Sequence, residues 1–232
     1  MAKIRLQITK GESVRYISHL DYSRAIERAV RRAKLPVAYS EGFNPHMKMA
    51  FASALALGVT SDAEYMDIEL SQELSVESFK SAFTAQLPRG IELREAAYLP
   101  PQTPALMKMV NLGTYLIRAP LTDGEYDKAA AAVEAFNTAG QVMYIKESPK
   151  GRREINVKQF MAAAVELVSW DGVALQLAMA IHITPTGSVK PGEVLDVLVK
   201  DYAMPLKQDD AFIHRVGLFI NDGRDWLSPI SL

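Results

Sequence analysis

Residues 14–48 carry the side chains of this chain that are best suited to chemistry or to binding. The stretch reads VRYISHLDYSRAIERAVRRAKLPVAYSEGFNPHMK, with two histidines, five arginines and an Asn-Pro turn. Imidazole groups exchange protons near neutral pH, and guanidinium groups bind phosphate oxygens. These residue types therefore favour phosphate recognition, with acid–base chemistry on a phosphate ester as a further possibility.

A helix must present most of these side chains. Ser18 with Asp21 three residues later predicts an N-cap. At about 100° per residue, the apolar residues fall on one side of this helix and Arg24, Arg28 and Arg31 fall on the other. The arginine stripe fits a phosphate-bearing partner, although a solvated face with local pairs, Asp21 to Arg24 and Glu27 to Arg31, explains the same spacing.

A loop at Gly42–Lys48 follows the helix. Gly42 and Asn44-Pro45 are typical of a tight turn, which is one complete explanation of the segment. The loop also carries Phe43, His46 and Lys48, and recognition residues commonly lie on loops held by a rigid scaffold. Both interpretations stay open from the sequence.

The candidate ligands of phosphate or nucleic acid are cationic, aromatic or amide side chains: Arg15, Arg24, Arg28, Arg31, Phe43, Asn44, Lys48, Lys150, Arg152 and Arg153. His19 and His46 are the candidate catalytic pair, one imidazole taking a 2′-hydroxyl proton and the other protonating the leaving oxygen. No spacing rule supports that pair. We expect no bound metal and no cofactor, because no Gly-rich nucleotide loop and no cysteine is present.

The composition is that of a globular protein with an uneven charge distribution. Of 232 residues, 49% are hydrophobic and 23% charged, and the net charge is −1. Up to Thr60 the chain carries ten Lys or Arg and four acids, a net charge of about +6, so the remainder is about −7. This asymmetry predicts a polyanion-facing patch near the N-terminus. No signal peptide or membrane-spanning stretch is evident, and we expect a cytoplasmic protein with no membrane partner.

The apolar periodicity predicts an α+β fold of two tandem ferredoxin-like sandwiches with antiparallel sheets. KIRLQITK alternates like a half-buried strand, and the order β-α-β-β-α-β follows up to IELREAAYL. The order recurs from GTYLIRA to AFIHRVGLFI, with QVMYIKE as the second strand of that half. We predict an N-terminal domain at 1–100, a Pro-rich linker at 101–110, and a C-terminal domain at 111–232 with an inserted arm around 146–170.

The string YISHLDYSRAIERAVRRAKLPVAYSEGFNPHMKMAFASALALG, followed by EYMDIEL, resembles the signature of the radical-SAM-linked protein family. LPRGIEL and GSVKPGEVLDVL are similar to that family's looser later pattern. The resemblance implies a radical S-adenosylmethionine protein as partner and, through that setting, a link to RNA modification. It does not supply an activity for the chain itself.

The favoured hypothesis is a non-catalytic accessory of a radical SAM enzyme that binds RNA, or another phosphate-bearing substrate, through its N-terminal basic patch. One alternative is a metal-independent ribonuclease or RNA-modifying enzyme that uses His19 and His46. Another is a protein-interaction module whose N-terminal patch docks on the radical SAM partner. The absence of cysteine fits a partner better than the radical enzyme itself.

Overall fold

The computed structural model describes residues 2–122, 125–148 and 151–231. The chain forms two compact units. Unit 1 comprises Met1–Asn111 and Gly217–Leu232, and unit 2 comprises Leu112–Val216. The predicted Pro-rich linker, 101–110, lies inside unit 1, and the last residues of the chain also belong to that unit.

Unit 1 contains an antiparallel sheet in the order β4-β1-β3-β2. Its strands and helices are β1 (Ala2–Lys10), α1 (His19–Arg32), β2 (Met49–Phe51), β3 (Val59–Leu70), α2 (Val76–Thr84), β4 (Leu93–Leu99) and the short α3 (Leu106–Met109). Each element predicted for the first half of the chain is present. Ser75 caps α2, because its hydroxyl oxygen accepts a hydrogen bond from the Ser78 amide at 3.1 Å.

The core of unit 1 lies where the helices cover the sheet. Inward-facing strand residues meet the apolar side of α1 and two phenylalanines of α2; the fully buried members include Ile4, Leu6, Ile8, Ile26, Met66, Phe79 and Phe83. The alternation read from KIRLQITK therefore places the correct residues in the core.

The prediction that β1 is only half-buried is wrong. Arg5 points to the opposite side from Ile4 and Leu6, yet its exposed fraction is 0%. Its guanidinium makes two hydrogen bonds to the Asp67 carboxylate, Nε to Oδ1 at 2.7 Å and Nη2 to Oδ2 at 2.9 Å, and donates from Nη1 to the Pro229 carbonyl at 2.7 Å. The returning C-terminal segment of unit 1 covers this residue, and no local sequence pattern announces such a long-range contact.

Unit 2 contains a second antiparallel sheet in the order β5-β9-β8. Its elements are β5 (Leu112–Pro120), α4 (Tyr126–Thr138), β6 (Met143–Ser148), β7 (Gly151–Asn156), β8 (Glu166–Trp170), β9 (Ala174–His182) and α5 (Pro191–Lys200). β10 (Phe212–Asn221) contributes its first half to unit 2 and its second half to unit 1, where β11 (Trp226–Leu227) pairs with it. Phe136, Leu177 and Leu198 are fully buried in the core of unit 2.

The strand predicted at QVMYIKE exists but does not join the main sheet of unit 2. It is β6, and it pairs with β7 as a separate two-stranded hairpin. After the hairpin comes a short 3-10 helix at Val157–Phe160, and β8 then takes the place beside β9. Both β6 (MYIKES) and β8 (ELVSW) are short and contain consecutive apolar residues without strict alternation, so periodicity alone did not distinguish the two.

The structure confirms a mixed α+β fold with antiparallel strand pairing. None of its described helices is long and apolar enough to cross a bilayer.

Candidate nucleic-acid interface

Helix α1 owes its start to the predicted Ser-Asp pair. Ser18 is the N-cap, with extended backbone, and its hydroxyl oxygen accepts a hydrogen bond from the Asp21 amide at 3.1 Å. The same hydroxyl donates to Asp21 Oδ2 at 2.7 Å. This contact holds the first turn and fixes which residues face outward over the next four turns.

The outward face of α1 is cationic. Tyr22, Ile26, Ala29 and Val30 are buried, and the opposite side exposes Arg24, Arg28 and Arg31. At 1.5 Å per residue these three arginines span about 10 Å of helix axis. We call them the arginine face.

Few acidic groups neutralise the arginine face. Arg24 lies 3.6 Å from the Asp21 carboxylate, and both side chains are more than half exposed, so the pair is weak. Among the described residues, Arg28 and Arg31 form no ion pair, and the predicted Glu27–Arg31 pair is absent. Arg28, Arg31 and the weakly paired Arg24 therefore present three positive charges to solvent along one stripe, an arrangement that favours a bound anion.

Other basic residues of the N-terminal segment are used by the fold. Arg15 is half-buried, and its Nε donates to the Gly58 carbonyl at 2.6 Å while its guanidinium lies 5.1 Å from the Tyr16 ring centroid. Arg32 donates to the Gln86 carbonyl at 2.6 Å. Since Arg5 is buried as well, the surface charge is smaller than the sequence count of cations indicates.

A buried lysine holds the segment that leads into α1, and the sequence analysis missed it. Lys10 is 1% exposed, and its ammonium donates to the carbonyls of Arg15 and Ile17 at 3.0 and 3.1 Å. Burial lowers the pKa of Lys10, and the nearby Glu64 carboxylate opposes that shift. The signal was available, because Lys10 continues the alternation of Ile4, Leu6 and Ile8 onto the covered side of β1.

The Gly42–Lys48 loop is closed at its base and exposed at its tip. The Ser40 amide donates to the His46 carbonyl at 2.8 Å, and the His46 amide donates to the Ser40 hydroxyl at 3.0 Å. Gly42 has φ of +116°, a conformation that favours glycine. Phe43, Asn44 and His46 are exposed, with Phe43 fully so.

Lys48, at the end of this loop, lies 3.5 Å from the Glu69 carboxylate, with both side chains about one-third exposed. Its charge is thus partly neutralised, unlike those of Arg28 and Arg31.

The two candidate catalytic histidines lie on different elements of unit 1. The His19 ring, in the first turn of α1, packs edge-on against Phe51, with 5.1 Å between ring centroids. His46 is exposed on the Gly42–Lys48 loop. Their use as one catalytic pair stays a prediction. The described ranges also contain no group of three or more His, Asp or Glu side chains able to hold a metal ion.

The second set of predicted ligands lies on the β6–β7 hairpin of unit 2. Arg152 pairs with Glu147 at 2.9 Å, and both side chains are at least two-thirds exposed. Arg153 makes a long contact of 3.5 Å to the Thr186 carbonyl. Lys150 lies outside the described residues. Arg152 also lines a cleft of about 450 Å³ beside α5, to which Glu193 and Asp196 contribute negative charge and Lys200 a second positive charge.

A family of bacterial proteins matches most of this chain. The model of DUF2344, described as an uncharacterized protein conserved in bacteria, matches residues 3–191. The chain belongs to DUF2344. The matched region of this DUF2344 protein includes α1, the Gly42–Lys48 loop and the β6–β7 hairpin. No curated protein is significantly similar to it.

Three solved structures illustrate what this DUF2344 protein is similar to in fold. In the crystal structure of a Cbf5-Nop10-Gar1 complex, one chain matches with a TM-score of 0.50 and 11% identity, over 94% of this chain and 48% of that one. An archaeal box H/ACA sRNP Nop10-Cbf5 complex gives a TM-score of 0.44, with 9% identity over 92% and 46% of the two chains. An H/ACA RNP bound to a substrate RNA containing 2′-deoxyuridine gives 0.43, with 10% identity over 92% and 46%.

This DUF2344 protein therefore spans about half the length of the solved chains that it matches. The match to the Cbf5-Nop10-Gar1 complex shows a similarity of fold alone. The other two matches have TM-scores below 0.5 and carry no argument.

Proposed function

We propose that this protein binds RNA through the arginine face of α1. The observation that carries the proposal is that Arg28 and Arg31 are exposed and form no ion pair with any residue that the structure describes, next to Arg24 with only a weak pair. Arginine forks bind phosphate oxygens in two-point contacts, and each phosphate neutralised releases condensed counterions. A backbone that presents phosphates in series matches three guanidinium groups in series.

Two features support a built surface over a merely solvated helix. Ser18, Asp21 and Lys10 hold the start of α1, so the arginine face has one defined orientation. The structure also leaves Glu27 unpaired with Arg31, although their spacing permits a local pair. Ordinary solubility does not require uncompensated like charges on one stripe.

The choice of RNA, and of a radical SAM enzyme as the partner that acts on it, rests on the family resemblance of residues 10–70. In this proposal the chain presents RNA and the partner carries out the chemistry. The exposed tip of the Gly42–Lys48 loop, which belongs to the same unit as α1, is a secondary contact.

The proposal includes the finer fold. In unit 1 the chain order β1-α1-β2-β3-α2-β4 and the sheet order β4-β1-β3-β2 support a ferredoxin-like sandwich. In unit 2 the sheet order β5-β9-β8, with β10 beside β5, supports a second one in which the β6–β7 hairpin is an insertion.

The test is binding of a fluorescently labelled RNA to a charge-matched pair of triple variants. The first variant carries Arg24→Ala, Arg28→Ala and Arg31→Ala. The control carries Lys80→Ala, Arg89→Ala and Lys108→Ala, which removes three exposed cations elsewhere in unit 1. We expect the first variant to lose at least tenfold in affinity at low salt and the control to stay within about threefold of the unaltered protein. Equal losses, or no binding by the unaltered protein, would contradict the proposal.

A further inference from the structure

Three large apolar side chains are exposed at the N-terminal end of the arginine face. Tyr16 is 72% exposed, Leu57 63% and Leu20 57%. Leu20 lies one helical turn before Arg24 and faces the same way, since residues four apart share a side of a helix. Leu20 of this apolar cluster thus extends the arginine face by one turn toward the start of α1, and Tyr16 lies three residues before that start.

Two residues support the Tyr16 ring, Arg15 at one face and Gly58 at the edge. The Arg15 guanidinium lies 5.1 Å from the ring centroid, a cation–π distance. The ring edge also lies beside Gly58, where a Cβ atom would come 3.9 Å from Tyr16 Cε1. These two neighbours restrict the ring before a ligand arrives, although most of its surface is exposed.

The backbone beneath Tyr16 is equally fixed. Arg15 and Gly58 are joined by two hydrogen bonds, Gly58 amide to Arg15 carbonyl at 3.1 Å and Arg15 Nε to Gly58 carbonyl at 2.6 Å. Lys10 binds the carbonyls on either side of Tyr16, those of Arg15 and Ile17. This rigidity is what a stacking platform needs, because little ordering entropy remains to be lost on binding.

We infer that the ligand is single-stranded RNA, with a base stacked on Tyr16 and the following phosphates bound along Arg24, Arg28 and Arg31. This inference rests on the proposed function. A single strand offers flat base faces and a series of phosphates together, which matches a platform followed along the chain by three arginines. A duplex hides its base faces in the stack and can use only the arginines.

The experiment compares an unstructured single-stranded RNA with a blunt duplex of the same length, using the full-length chain. The unaltered protein is expected to prefer the single strand. Tyr16→Ala is expected to weaken single-strand binding by about 5- to 100-fold and to change duplex binding by less than about twofold. Tyr16→Phe, which keeps the ring, should bind like the unaltered protein, and so should Met107→Ala, which removes an equally exposed side chain from α3.

The outcomes separate the two proposals. If no RNA binds, the proposed function fails and this inference fails with it. If RNA binds through the arginine face but without preference for the single strand, only this inference is overturned. If Tyr16→Ala binds both RNAs normally but no longer captures a protein from RNase-treated lysate, the apolar cluster is a protein-docking surface and the inference is again overturned.

Discussion

Replacing Asp67 by alanine should destabilise unit 1 strongly. The carboxylate is 6% exposed and accepts two hydrogen bonds from Arg5, whose own side chain is 0% exposed. Without Asp67, the bond to the Pro229 carbonyl is the one hydrogen bond that the buried guanidinium keeps among the described residues. Removing one partner of a buried ion pair costs about 3–5 kcal/mol, because the remaining charge stays away from water without compensation.

Thermal unfolding followed by circular dichroism measures this cost. For a chain of this size, 1 kcal/mol shifts the Tm by about 2–4 °C, so we expect the Tm of Asp67→Ala to fall by roughly 6–20 °C. The double variant Arg5→Met with Asp67→Leu should recover most of the loss, because it leaves no unpaired charge in the interior. Arg94→Ala is the control, since it breaks an exposed pair with Glu92 and should cost less than about 1 kcal/mol. A loss in Asp67→Ala no larger than that of Arg94→Ala would refute the reasoning.

Three further outcomes follow from local structure. Ser18→Ala should lower the free energy of unfolding by about 1 kcal/mol in urea titrations, and Ser18→Gly by less, because Ser18 caps α1. Burial raises the pKa of Tyr22 well above its ordinary value of 10.0, with the Glu64 carboxylate adding to the shift. The neutral phenol therefore stabilises the fold below pH 10, and this stability is lost as the pH rises further; Tyr22→Phe should show a smaller alkaline loss in the same titrations. Cellular RNA incubated with the protein and EDTA should stay intact, and cleavage abolished by His19→Ala would instead support the ribonuclease alternative.

Local pattern predicted most of the elements of this fold. These signals are local. The Ser18 cap and the two faces of α1 depend on residues within one or two helical turns, and the alternation of β1 depends on residues two apart, so periodicity is a direct signal for each. The two corrections have long-range causes. Arg5 is buried by Pro229, which lies at the other end of the sequence, and β6 pairs with β7 rather than with the main sheet, where β8 competes for the same position.

The candidate site was predictable in its location and less so in its composition. Helical spacing identified Arg24, Arg28 and Arg31 as one face, and their exposure follows from that geometry. It did not show that Arg15 binds a neighbouring loop or that Lys10 is buried beneath it, because both depend on where the chain folds back.

The salt dependence of RNA binding tests the central claim most directly. Each phosphate neutralised on a single strand contributes about 0.7 to the slope of log affinity against log salt concentration. If the arginine face binds the RNA backbone, replacing Arg24, Arg28 and Arg31 together by alanine should reduce that slope by about 2 between roughly 50 and 200 mM salt. A slope that is unchanged in this variant, or reduced as much in the control that lacks Lys80, Arg89 and Lys108, would contradict the claim.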